Sequence, residues 1–259
     1  MLHSVEFGGG PPILILHGGG LDHQHMVDAL EPVFQDAPDW RRIYADLPGH
    51  GRSTGDGIDG QDDVLARVAA FGESIGEPYA VIGESRGSLI AHGLAMTHPQ
   101  AISGICLIVP GGNDATSPKP GHVTLAPDPA TAETLSPEVR ARFDRLVVQS
   151  PDIARRIAAT KVPAARMADT ETARRVAAHF HPDLGENPEP FTGPALIVAG
   201  RQDAVAGWQD AAALQDAYPR STFSVLDTAG HSLTWERPAL FAALLRDWLD
   251  RLSLALAQP

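Results

Sequence analysis

What this chain lacks bounds it first. A single cysteine, Cys106, in 259 residues leaves no internal disulfide and no cysteine-based zinc site. It lies inside an apolar run, where a buried, inert thiol is the ordinary reading. No stretch approaches the roughly 20 apolar residues of a membrane-spanning helix. The longest apolar runs, 13–16 and 105–109, have the length of strands. No basic segment followed by an apolar one opens the chain, so a cytoplasmic protein without a membrane partner is expected. Positive charge is scarce: Lys+Arg 20 against Asp+Glu 32 gives a net charge of −12, which argues against nucleic acid as the main partner. No H-E-x-x-H or comparable set occurs, so a metal is not expected. Nothing in the composition speaks to oligomeric state.

What is there describes a globular α/β chain. A hydrophobic fraction of 43% is close to the globular average and supports a sizeable core. Short apolar runs at 13–16, 42–45, 79–83, 104–109, 195–199 and 222–226 are continuously apolar rather than alternating. That pattern suits a mostly parallel sheet covered on both faces. One further strand is expected around residues 4–7. Helical spacing appears between the runs, at 63–75, 88–97, 207–218 and 238–256, and core packing accounts for each stripe. The alternation predicts a doubly wound α/β fold.

One segment breaks the rhythm. Residues 112–193 contain no clear strand but three helical patterns, at 136–149, 152–160 and 170–180, with prolines at both ends. This reads as a helical insertion, a lid, in a core made of residues 1–111 and 194–259. Phe143, Leu146 and Phe180 should divide between packing on the core and facing a substrate.

Chemistry concentrates at the ends of the apolar runs. The run 79–83 leads into Gly83-Glu84-Ser85-Arg86-Gly87 and then a helical stretch. In that strand–turn–helix context G-x-S-x-G presents a serine on a sharp turn, beside backbone amides that can hold a developing oxyanion. An ordinary glycine-rich turn is the bland alternative, and it would leave the rest of the chain unconstrained. The rest is constrained. The run 13–16 ends in His17-Gly18-Gly19-Gly20, where glycines allow a backbone N–H to approach a substrate oxygen; no Lys-Ser/Thr follows, as a P-loop would require. Asp203 and His231 follow the runs 195–199 and 222–226, so parallel strands would bring both to the edge that carries Ser85. His17 and His50 are expected to bond the backbone of their own loops. Asp227 is expected to serve a turn or a helix entry.

With these pieces in place, the chain resembles the α/β-hydrolase family, in its serine-nucleophile branch with a lid, over almost its whole length. The His17–Gly20 loop, the segment 46–53, the Ser85 motif, Asp203 and His231 occur in the family's order, and nucleophile, acid, histidine is a distinctive sequence of triad members. The resemblance implies Ser85 as nucleophile, His231 as base and Asp203 as the acid that orients it. The backbone amides of Gly19 and Arg86 would be the oxyanion donors. Asp114, after the run 104–109, is the rival acid; Asp203 is preferred for its glycine-led loop. Two departures stand out: the sheet has only one strand before residue 13, and an arginine directly follows the nucleophile. The implied function is a cofactor-free serine hydrolase that cleaves a small ester or related acyl bond in a small-molecule substrate. A small-molecule receptor of the same fold, a carbon–carbon bond hydrolase and a cofactor-free peroxidase share these motifs.

Overall fold

A computed structural model describes residues 2–111, 117–184 and 188–257. Seven strands form one sheet: β1 Ser4–Phe7, β2 Pro12–Leu16, β3 Arg41–Ala45, β4 Tyr79–Glu84, β5 Ile102–Ile108, β6 Ala195–Gly200 and β7 Ser221–Leu226. Their order across the sheet is β1-β3-β2-β4-β5-β6-β7. β1 pairs antiparallel with β3, and every other neighbouring pair is parallel. All seven expected strands are present. β5 begins two residues earlier than its apolar run, at Ile102, which pairs with Tyr79 before the register shifts between Tyr79 and Ala80.

The sheet separates two hydrophobic layers, and alternate side chains of each strand feed one or the other. Ile13, Ile15, Ile82 and Cys106 join the layer completed by helices α1 (His23–Phe34) and α11 (Pro238–Leu256). Leu14, Leu16, Val81 and Ile105 join the layer completed by α2 (Gln61–Glu73) and α3 (Arg86–Thr97). Helices on both faces explain why the strands read as continuously apolar.

Between β5 and β6 lie α4 (Pro129–Thr134), α5 (Pro137–Phe143), α6 (Pro151–Arg156), α7 (Val162–Met167) and α8 (Thr170–Ala178). Beyond β6 come α9 (Gln209–Ala213) and, after β7, α10 (Leu233–Glu236). Phe143, Leu146 and Ile153 pack into the α1/α11 layer. At the other end, the Asp169 N–H donates to Gly49 O at 2.8 Å, Arg175 Nε donates to Ile58 O at 2.8 Å, and the Gln61 N–H donates to His179 O at 2.9 Å. The segment is thus anchored on both sides of the sheet and crosses above the carboxyl ends of the strands.

The helices differ from expectation in detail. The pattern at 136–149 is helical only to Phe143. Beyond it, the Leu125 N–H bonds Val147 O at 2.9 Å and Glu236 Oε1 takes the Val147 N–H at 2.7 Å, so tertiary partners replace helical ones. The pattern at 152–160 instead continues to Met167 through a π-helical turn, Ile157–Lys161, immediately before Pro163. A π turn admits a proline, which has no N–H and clashes with an α-helical carbonyl. Helix α1 has no counterpart in the sequence reading, because Pro32 sits inside its last turn.

Candidate active site

Ser85 closes the turn between β4 and α3 in a left-handed conformation, φ 54° and ψ −113°, which is strained for a residue with a side chain. The flanking glycines make the turn possible. A Cβ on Gly83 would overlap the carbonyl of Gly87, and a Cβ on Gly87 would overlap the carbonyl of Leu16. The outcome is a hydroxyl projecting from the sheet edge. It donates to His231 Nε2 at 2.9 Å, and His231 Nδ1 donates to Asp203 Oδ2 at 2.8 Å. Asp203 is fully buried, and its other oxygen accepts the N–H groups of Val205 at 2.8 Å and Ala206 at 2.9 Å. A carboxylate facing Nδ1 fixes the tautomer that leaves Nε2 free to accept the serine proton. The structure therefore brings Ser85, His231 and Asp203 into one hydrogen-bonded line. Asp114 lies outside the described residues. Asp227 is exposed and accepts from Gln202 Nε2 at 2.8 Å, away from that line.

The glycine loop is braced from beneath. His17 Nδ1 donates to Gly18 O at 2.8 Å while Nε2 accepts the Leu47 N–H at 2.9 Å. His50 Nε2 accepts the Gly20 N–H at 3.1 Å, and its Nδ1 donates to Pro48 O at 3.0 Å. Each ring serves a loop, as expected, and together they tie residues 17–20 to the turn at 46–53. Gly19 faces the cleft, with its hypothetical Cβ 3.7 Å from Arg86 Cδ. Arg86 is the first residue of α3, so its N–H has no acceptor within the helix. Both amides border the space above Ser85.

These buried rings carry a pH signature. Burial, and then the charge of His50, pushes His17 down to about 3, and burial pushes His92 down to about 4. Burial also lowers His50, whereas the hydrogen bond to Asp46 raises His23. A lowered folded pKa means that the unfolded chain takes up protons first on acidification. Stability is therefore lost as pH falls from about 6.5 towards 4, at up to about 1.4 kcal/mol per pH unit for each such histidine. Urea denaturation between pH 7 and 4 should show a midpoint that drops steadily. A flat midpoint from pH 6.5 to 4.5 would contradict the assignment.

Beneath and beside Ser85 lies a set of groups the sequence reading missed. Glu84, immediately before Ser85, is buried and bonds His25 Nε2 through both oxygens, at 2.9 and 3.1 Å. Burial alone would raise its pKa, but His25, Lys161 and His231 bring it down to about 2. The His25 ring stands edge-on to Trp235 at 4.8 Å; on Trp235 lies Lys161 Nζ, 4.5 Å from the ring centre and 3.0 Å from Ser232 Oγ. The one sequence signal was Glu84's place inside the motif. His25 and Lys161 carry no local mark. Phe143 and Leu146 belong to the core, while Phe180 is exposed and lines the cleft.

The chain is similar to known proteins over most of its length. The family described as the α/β hydrolase fold matches residues 11–238, and the chain belongs to that family. Monoacylglycerol lipase abhd6-B of Xenopus laevis is 25% identical over 266 residues, covering 95% of this chain and 77% of that protein. Pimeloyl-[acyl-carrier protein] methyl ester esterase of Aeromonas salmonicida is 28% identical over 256 residues, covering 94% and 97%. Among solved structures, an α/β superfamily hydrolase from Oenococcus oeni superposes with a TM-score of 0.87 at 23% identity, over 97% of this chain and 96% of that one.

Proposed function

We propose that this protein hydrolyses small carboxylic esters through an acyl-enzyme on Ser85. The observation that carries the reading is the line from Asp203 through His231 to the Ser85 hydroxyl, opening onto a cleft. In this reading Ser85 Oγ attacks the ester carbonyl while His231 Nε2 takes its proton. The imidazolium that forms is held by Asp203. The carbonyl oxygen gains charge and accepts from the backbone N–H groups of Gly19 and Arg86, which are already oriented before reaction. Collapse expels the alcohol, protonated by His231. Water then adds to the acyl carbon with His231 again as base, releasing the acid and restoring Ser85. The lipase and esterase among the relatives support an ester as substrate.

The segment between β5 and β6 is the lid in this reading. Arg142, Lys161, Ala173, Ala177 and Phe180 from it face the same space as Ser85 and His231. It supplies the wall of the pocket, and none of the triad.

The test is covalent labelling. A fluorophosphonate probe should add one label, mapped to Ser85 by peptide mass spectrometry, and should block hydrolysis of 4-nitrophenyl acetate. A label that persists in Ser85→Ala, or hydrolysis that persists in the labelled protein, overturns the reading.

A further inference from the structure

Positive charge is rare in this chain, yet it gathers where Ser85 opens to solvent. The chain has only two lysines, Lys119 and Lys161, and both line the cleft. Arg86, Arg142 and Arg145 line it as well. In a protein with 32 acidic residues, no Asp or Glu is among the described residues that line this space.

Among the described residues these cations also lack a carboxylate partner. Elsewhere on the same segment the arginines have carboxylate partners: Arg140 pairs with Asp144 at 2.6 Å, Arg156 with Asp152 at 2.9 Å and Arg174 with Glu171 at 2.8 Å. Among the described residues, none of the five cleft cations has a carboxylate within 4 Å. Arg142 bonds the Glu138 carbonyl at 3.2 Å, and Arg86 Nε reaches only Gln61 Oε1 at 3.4 Å. The acids nearest Lys161 are otherwise engaged: Glu84 binds His25, and Glu236 accepts the N–H groups of Val147 at 2.7 Å and Gly230 at 2.6 Å. Like charges held together without counter-charge repel one another, and a cleft with low-dielectric walls strengthens their field on whatever enters.

The cleft has two lobes that meet at Ser85 and His231. The smaller, about 220 Å³, is walled largely by Leu89, Val205, Ala206 and Phe180, with Lys119 also in its lining. The larger, about 400 Å³, carries Arg86, Arg142, Arg145 and Lys161. Lys161 is presented there by the π turn, a feature frequent at functional sites.

We propose that the ester taken by this site bears a second, anionic group, a carboxylate or phosphate, held in the larger lobe by Arg142, Arg145 and Lys161. An apolar part of the same molecule fills the smaller lobe. This rests on the hydrolase reading above and names its substrate class. The anionic group is a handle and is unchanged by the reaction: water still divides the acyl–oxygen bond into an acid and an alcohol.

Matched substrates test it. On the acyl side, the 4-nitrophenyl monoester of glutarate is compared with 4-nitrophenyl pentanoate. On the alcohol side, 4-acetoxybenzoate and 4-acetoxyphenyl phosphate are compared with 4-acetoxytoluene. Charge-assisted hydrogen bonds of this kind should favour the anionic member by about ten- to hundredfold in kcat/KM on one side. The carboxylate and phosphate arms separate the two anions. The preference should shrink as salt rises and fall towards unity in a variant combining Arg142→Gln, Arg145→Gln and Lys161→Met. Arg174→Gln, which removes the same charge outside the cleft, should keep it. Arg145→Gln alone, at an exposed position, should lower the preference measurably and serves if the triple variant does not fold. Equal or poorer use of every anionic ester, with the neutral esters hydrolysed normally, overturns this inference and leaves the hydrolase reading standing. No hydrolysis of any ester, with no label on Ser85, overturns both.

Discussion

Replacing His231 by alanine should lower kcat for a 4-nitrophenyl ester by about 10⁶-fold, the scale seen when the base of a serine protease is removed. A serine hydroxyl is a poor nucleophile at neutral pH, and among the described residues only His231 bonds Ser85 Oγ in a position to take its proton. His231 stands in a loop with its side chain about a quarter exposed, so its removal opens little space in the core. Thermal unfolding of the variant should therefore stay close to that of the parent, which separates loss of chemistry from loss of fold. His122, which shares a neighbouring cavity with His231, makes the control, and His122→Ala should retain most of the activity. If His231→Ala keeps more than about a hundredth of the parental rate, the proton goes elsewhere and the triad assignment fails.

The second large effect is expected from Asp203→Asn, about 10⁴-fold in kcat. Asparagine has nearly the shape of aspartate, and its oxygen can still accept the N–H groups of Val205 and Ala206. What it loses is charge and, opposite His231, an acceptor. Its amide would favour the tautomer with the proton on Nε2, which cannot receive the proton of Ser85, and the imidazolium would no longer face a carboxylate. The defect should therefore lie in kcat, with KM little altered, because the carboxylate does not border the substrate. Asp114→Asn should change little. The reverse pattern, a silent Asp203→Asn and a crippled Asp114→Asn, would move the acid to the loop after β5.

Much of the site was legible because it is built from backbone requirements that restrict residue choice locally. Gly83 and Gly87 must be glycine because the carbonyls of Gly87 and Leu16 leave no room for a Cβ. That requirement writes G-x-S-x-G into the chain wherever a strand turns sharply into a helix. The strands were legible for a related reason: residues buried on both faces of a parallel sheet must all be apolar, and such runs cannot be hidden. Once the strands are parallel, the loops carrying Ser85, Asp203 and His231 must share an edge.

The helices of the insertion were legible as helices but not in their lengths. Hydrophobic spacing at 144–149 serves an extended chain as well as a helix, and the carboxylate of Glu236, 89 residues from Val147, decides between them. No local rule contains that contact.

By itself, then, the amino-acid order determined the seven strands, the strained serine and the placing of Ser85, Asp203 and His231 at successive strand ends. Each depends on short-range sterics or on burial, which the identity of a few neighbouring residues records. Only the tertiary structure decided that His25 meets Glu84 behind Ser85, 59 residues away, that Lys161 lies over Trp235, and that five cations line the cleft with no carboxylate among the described residues that line it. An arginine on a helix reads as a solvated charge whichever way it points. Its chemistry is set by what stands opposite, and that depends on how the β5–β6 segment docks across the strand ends. Packing between distant surfaces fixes that docking, and no single stretch of sequence encodes it.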